Sequence, residues 1–261
     1  MDNVCIFGRY HLLEYLCKQE DSVVHYGGDS ETGKAVAIKL TKKYPSGAAV
    51  SFYEGNPENF PRLRFHGKTE IEGAFYNVWV TDFIEGKSLE ELVEGGRMVD
   101  PKVDAVRWVI KALEPLGQLH SAGLYSGDLK PSDFILGYDG KVYLVDIDTV
   151  VKEGSVPSHV NERYSAPEIR VTSTLPCDRR ADIYSMGMIL LDMLIKGLRG
   201  DEVGLRRFNY DDRARYLRML PENLGAVIGK ATQYNPNDRY GNVMKFKEAL
   251  QGFLSPTGRA S

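Results

Sequence analysis

Charged side chains that could do chemistry gather in a few short runs. These are Val36-Ala37-Ile38-Lys39, Gly127-Asp128-Leu129-Lys130-Pro131-Ser132-Asp133, Val145-Asp146-Ile147-Asp148 and Ala166-Pro167-Glu168. Carboxylates accept protons and offer hard oxygen ligands, and an ammonium group answers anionic charge. Taken singly the runs are ordinary: a lysine in an apolar strand is most often a snorkelling surface residue, and Asp-Leu-Lys-Pro is commonplace. Their order along the chain carries the information. His11, His25, His66, His120 and His159 form no i, i+4 pair and no H-E-x-x-H, so metal ligation by imidazole is unsupported, and His120 reads as the end of a helix. Cys5, Cys17 and Cys177 have no C-x-x-C spacing, which points to neither a disulfide framework nor a zinc site.

The elements that must position these residues change character along the chain. Residues 10–16, 23–26 and 35–40 read as strands, and the turn formers Asp29-Ser30-Glu31-Thr32-Gly33 predict a hairpin. A short helix is expected with Ser46 as N-cap, residues 48–54 as body and Gly55 as stop. Residues 62–67 and 75–83 alternate in the period of strands, with Gly73 in the loop between them, and would complete a five-stranded sheet. Ser88 then starts a helix. Asp100-Pro101 caps a second one, whose stripe Val103, Val106, Ile110, Leu113, Leu116 and Leu119 runs to about His120, with Pro115 arguing for a kink. Two short strands at 134–136 and 142–145 precede helices that include 183–195, 224–231 and 243–253, and the last residues from Ser255 are expected to fray. The order is β-rich, then α-rich, with the change at 84–88.

The chain of 261 residues has a net charge of -3 and a pI near 6.0, so no basic field marks it for nucleic acid or anionic lipid. The longest apolar run, 186–195, is interrupted by Asp192 and is too short to cross a bilayer. The N-terminus MDNVCIFGRY carries acid where a signal peptide has base. The expectation is a cytoplasmic protein without nucleic-acid binding or membrane insertion.

Six patterns in order resemble the protein kinase family: the V-A-I-K strand, the loop ending in Asp-Leu-Lys-Pro, the D-F-G turn, the A-P-E box, a D-x-W-S-x-G helix start at Asp182-Ile183-Tyr184-Ser185-Met186-Gly187, and the arginine of Asn235-Pro236-Asn237-Asp238-Arg239. The resemblance spans most of the chain. It implies an α+β, bilobal fold, with a small β-rich N-lobe over about 8–83, a hinge over about 82–88 and a larger, mainly helical C-lobe over about 89–254. It further implies that Lys39 offsets phosphate charge and that Leu16, Val24 and Ala37 line the adenine pocket. Backbone groups of the run Trp79 to Gly86, at Thr81, Asp82 and Ile84, would meet adenine. By the same resemblance Asp128 is the base, Lys130 stabilises the transferring phosphoryl group, and Asp133 and Asp146 hold Mg²⁺. Asp182 would brace the catalytic loop, and Glu168 and Arg239 would form a buried ion pair. The implied activity is transfer from ATP, with Mg²⁺, to a serine or threonine of a protein substrate, because Lys130 follows Asp128-Leu129 as in the Ser/Thr branch. A regulatory protein is a further expected partner.

The sequence departs from the family in six places. Cys17, Gln19 and Ser22 replace the three glycines of the phosphate loop, with Glu20 and Asp21 at its tip, which should hold the backbone off ATP and repel it. Glu54 is the only acid in the helix that should supply a partner for Lys39. Ser126-Gly127-Asp128 lacks the arginine that receives an activation-loop phosphate, although Thr149, Ser155 and Ser158 remain in that loop. Asp133 and Asp148 replace an asparagine and the glycine of D-F-G, and Asn161 replaces a threonine before the A-P-E box. Two readings follow: an active, divergent Ser/Thr kinase, or a pseudokinase that binds or scaffolds. The A-P-E box and the Asp182 helix start argue against a third, a small-molecule kinase.

Overall fold

The computed structural model describes residues 4–19, 21–44, 46–158, 161–170, 175, 177–199 and 210–255. Glu20, His159 and the tail beyond Ser255 lie outside the described residues. The chain divides into two compact units, Met1–Glu85 and Gly86–Ser261.

The first unit comprises β1 (Cys5–Ile6), β2 (Tyr10–Gln19), β3 (Ser22–Asp29), β4 (Ala35–Thr41), α1 (Gly47–Glu54), β5 (Leu63–Ile71) and β6 (Ala74–Asp82). They form an antiparallel sheet of six strands in the order β1-β2-β3-β4-β6-β5, one more than the five expected. The extra strand is two residues long, too short to display a period of two. Ile6, Tyr10, Leu12, Val36, Ile38, Leu40, Val78 and Val80 bury one face of the sheet. Alternation along β4 therefore turns Ala37 and Lys39 to the opposite face.

The β3–β4 hairpin closes on Asp29. Its buried carboxylate accepts from Arg9 Nε and Nη2, both at 2.7 Å, from Glu31 N at 3.0 Å and from Thr32 Oγ1 at 2.8 Å. Hydrogen bonds from the Arg9 guanidinium first, then from Thr32 and Glu31, hold this carboxyl well below the usual carboxylate range. Gly33 completes the turn with φ +69°, a conformation that favours glycine.

The second unit comprises β7 (Gly86–Ser88), α2 (Leu89–Glu94), α3 (Pro101–Ser121), β8 (Leu124–Tyr125), β9 (Phe134–Gly137), β10 (Val142–Leu144), β11 (Val151–Lys152), α4 (Pro167–Arg170), α5 (Arg180–Arg199), α6 (Tyr210–Leu217), α7 (Glu222–Ala231) and α8 (Val243–Leu254). A reciprocal capping box between Ser88 and Glu91 starts α2. Asp100 caps α3 through Lys102 N at 3.1 Å and Val103 N at 3.3 Å, and the helix continues through Pro115 to Ser121. Its apolar stripe packs on α5, α8 and β10. Helix α5 is buried from Ala181 to Ile195, Asp192 included. That acid is answered by Arg163 Nη2 at 2.5 Å, Tyr164 Oη at 2.8 Å and Lys196 Nζ at 3.6 Å.

Strands β10-β9-β7 make a three-stranded sheet and β11 pairs with β8. The short β7, β8 and β11 are additions to the two strands read from the sequence in this region. Among the described residues no helix is long and apolar enough to cross a membrane.

Candidate active site

In the first unit, strand register gathers most of the residues read from the sequence. Lys39 stands opposite Val24 on β3 and Trp79 on β6, and Ala37 stands opposite Tyr26 and Thr81. Directly opposed residues share a face, so Val24, Ala37, Lys39 and Thr81 lie together on the face away from the apolar core. Leu16 falls at the register shift between Tyr15 and Cys17 and is 41% exposed.

Asp82, at the end of β6, is held by Arg64 through Nε at 2.5 Å and Nη2 at 2.9 Å, and its N–H donates to Arg62 O at 2.9 Å. Phe83 N donates to Ala35 O at 3.3 Å, and its ring meets Tyr26 edge-on at 4.9 Å. The backbone from Thr81 into the half-buried Ile84 therefore leaves the sheet on a fixed course.

The segment that replaces the glycine loop is a closed hairpin. Pairing of β2 with β3 runs out to Gln19 and Ser22. Asp21 O accepts from Lys42 N at 3.0 Å and from the buried Thr41 hydroxyl at 3.3 Å, which ties the tip to the end of β4. Helix α1 runs over Gly47–Glu54 between Ser46 and Gly55, but it turns Ala49 and Tyr53 inward and leaves Glu54 exposed at its last residue. Glu54 makes no ion pair among the described residues.

In the second unit, the segment 126–133 is seated by buried groups. The Asp182 carboxylate accepts Ser126 N at 3.0 Å on Oδ2 and Gly127 N at 2.7 Å on Oδ1. Oδ2 also lies 2.8 Å from His120 Nε2. The Ser165 hydroxyl donates to Gly127 O at 2.9 Å, and Asn161 N donates to the same hydroxyl at 3.0 Å. Asn161 Oδ1 accepts from Arg163 N at 2.9 Å and Tyr164 N at 3.3 Å, folding the strip before Ala166-Pro167-Glu168 onto itself.

Asp128, Lys130 and Asp146 are half-buried, whereas Asp133 is 3% exposed. Asp133 Oδ2 accepts from Lys130 N at 3.0 Å, and Oδ1 lies 3.5 Å from Lys130 Nζ. Val145 N donates to Asp133 O at 2.9 Å, linking Asp133 to the residue before Asp146. Burial pushes the Asp133 carboxyl up to about 8; Lys130 opposes this, and the neighbouring charges of Asp146 and Asp128 add to it. Three carboxylates and an ammonium thus act on one another across this segment. Glu168 and Arg239 form a buried fork in the same unit.

A family model for the protein kinase domain matches residues 66–251. The chain belongs to the protein kinase family. Serine/threonine-protein kinase PknD of Chlamydia trachomatis is 23% identical to this kinase domain over 94% of the chain and 32% of its own length. Serine/threonine-protein kinase PknL of Mycobacterium tuberculosis is 25% identical over 96% of the chain and 67% of its own length. Serine/threonine-protein kinase TIO of Arabidopsis thaliana is 26% identical over 71% of the chain and 14% of its own length. The kinase domain therefore spans about a third of the length of PknD.

Two residues of the kinase domain that help seat this segment, Ser165 directly and His120 through Asp182, are not marked for that role by the sequence. His120 stands in the last turn of α3, as its place in the sequence suggests, and its ring also reaches Asp182. Ser165 carried no signal at all.

Proposed function

We propose that this kinase domain transfers the γ-phosphate of Mg-ATP to a serine or threonine hydroxyl of a protein. The observation that carries the proposal is the seating of Asp128: the two amides before it are held by one buried carboxylate, and Lys130 and Asp133 follow on a segment bonded to itself. Phosphoryl transfer asks the protein mainly for positioning and charge stabilisation, and a tied segment supplies the first.

In this reading Asp128 accepts the proton of the substrate hydroxyl as its oxygen bonds to the γ-phosphorus. The bond from that phosphorus to the bridging oxygen breaks and ADP departs, while Lys130 answers charge on the transferring group. Lys39 offsets charge on the remaining phosphates, Leu16, Val24 and Ala37 take the apolar faces of adenine, and backbone groups at Thr81, Asp82 and Ile84 take its polar edge. Asp133 and Asp146 would hold Mg²⁺, which supplies charge neutralisation at the phosphates. The donor set fits a hard cation: burial first, and then the charges of Asp146 and Asp128, disfavour the ionised Asp133 carboxylate, and a divalent ion held between Asp133 and Asp146 would offset that cost. Serine/threonine specificity is supported by Lys130 after Asp128-Leu129 and by the names of the relatives. A reducing, cytoplasmic setting is supported by Cys5, Cys17 and Cys177, which form no disulfide among the described residues. A regulatory protein partner remains part of the proposal.

One observation favours the alternative, a pseudokinase scaffold: the hairpin tip is pinned to β4 where the family uses glycine to wrap phosphates. The two readings separate on transfer of labelled γ-phosphate to a generic basic protein, followed by identification of the modified residue. Label on serine and threonine that disappears with Lys39→Met supports the kinase. No label, together with no thermal stabilisation by Mg-ATP, leaves the scaffold.

A further inference from the structure

Gly127 occupies the place of the arginine that, in the family, receives a phosphate on the segment after the D-F-G turn. Its backbone has φ +71°, and a Cβ built on it would lie 2.5 Å from Pro157 Cγ and 2.9 Å from Ile169 Cδ1. No side chain fits there without displacing both. The glycine is held on every remaining side as well: its N–H goes to Asp182, its carbonyl takes the Ser165 hydroxyl, and Pro157 and Ile169 cover its Cα.

Pro157 belongs to a stretch that is otherwise in water. Between Lys152 and Ser158 it is the one buried residue, and Val156 beside it is 64% exposed. The backbone leading to it is tied to the same region of the second unit. Strand β11 pairs with β8, Glu153 N donates to Gly123 O at 3.1 Å and Gly154 N to Cys177 O at 3.0 Å, and the Tyr125 hydroxyl donates to Ser155 O. A proline ring with fixed φ loses little freedom on docking. The contact is a preformed apolar wedge two residues of chain away from the Ser155 tether.

We propose that Pro157 is a positioning residue for Asp128: seated on Gly127, it holds the catalytic loop in its working conformation without any phosphate on the segment after Asp146. This rests on the transfer activity proposed above. The wedge covers the Gly127 Cα where no side chain fits, and it couples the 151–158 stretch to the backbone immediately before Asp128. Thr149, Ser155 and Ser158 are then dispensable as acceptors.

The test uses the full chain, treated with phosphatase, in four forms: wild type, the triple Thr149→Ala/Ser155→Ala/Ser158→Ala variant, Pro157→Gly and Pro157→Val. The measurements are kcat, the KM for ATP and the hydrogen exchange of amides 151–158. Wild type and the triple variant are expected to agree in kcat within about twofold. Pro157→Gly should lose about tenfold or more in kcat at unchanged KM, the signature of a misplaced group, with faster exchange across 151–158. Pro157→Val, which keeps the apolar bulk, should recover most of the loss. Activity that requires phosphate on this segment, or a Pro157→Gly protein with unchanged kcat and exchange, overturns the inference. Absence of transfer in every form would overturn the proposed function instead, and unchanged exchange in Pro157→Gly would still count against the wedge.

Discussion

Arg239 and Glu168 meet as a two-pronged ion pair, Nη1 to Oε1 at 2.6 Å and Nη2 to Oε2 at 2.7 Å, with both side chains out of contact with water. The remaining donors of Arg239 go to Gln233 O at 2.7 Å, Arg180 O at 3.0 Å and Tyr234 O at 3.0 Å, and the guanidinium lies 4.9 Å from the Tyr184 ring centroid. Every part of that cation is answered, which is the condition under which a buried pair is tolerated. Removing one partner leaves a charge without water or counter-ion. Glu168→Ala is expected to lower stability by about 3–5 kcal/mol, read as a reduced midpoint in urea unfolding. Arg239→Lys should behave similarly, because an ammonium cannot replace the planar fork.

Asp182 acts on the two amides that precede Asp128, so its loss should appear in the rate more than in nucleotide affinity. Asp182→Asn keeps the shape but turns one of two acceptors into a donor facing an N–H. The expected outcome is a kcat lower by about a hundredfold with the KM for ATP changed little. Steady-state kinetics at varied ATP check this, and an effect confined to KM would contradict it.

Asp133 predicts a pH dependence of stability. Its folded pKa of about 8 lies above the ordinary aspartate value of 3.8, so the native protein retains a proton that the unfolded chain has released across that interval. Stability contributed by this group is therefore full below about pH 4, falls as pH rises and levels off above about pH 8. Asp133→Asn removes the titration and should flatten the decline between pH 5 and pH 8 in thermal unfolding curves, by about the same sign at each step. A variant with the wild-type slope would show that the slope has another source.

Thr41 is fully buried, and its hydroxyl both donates to Asp21 O at 3.3 Å and accepts from Lys43 N at 3.1 Å. Thr41→Val keeps the volume and removes both bonds. It should cost about 1–2 kcal/mol and speed hydrogen exchange at the tip of the β2–β3 hairpin. Unchanged exchange there would mean that strand pairing alone fixes the tip.

The family, the order of elements and the seats of Asp128, Asp182, Glu168 and Arg239 were legible because each sits in a short run whose neighbours recur at fixed offsets. The Asp100-Pro101 cap and the α3 stripe were legible for a local reason, since capping and periodicity are written within one helix. What escaped reading depends on distant partners or on very short elements. Two-residue strands such as Cys5–Ile6 and Val151–Lys152 show no period. The outward turn of Glu54 depends on which side of an eight-residue helix carries Ala49 and Tyr53, and the weak apolar pattern there did not specify the rotation. The seating of Pro157 on Gly127 joins residues 30 apart in the chain; from the sequence, the glycine announced only a missing arginine.

The most direct test of the central claim is the initial rate of γ-phosphate transfer from Mg-ATP to a protein acceptor, measured for wild type beside Asp128→Asn with both proteins shown to fold by thermal unfolding. The account predicts measurable transfer by wild type and a loss of at least about a hundredfold in the variant, in keeping with the loss of a positioned base. Equal rates in the two proteins, or none in either, would contradict it.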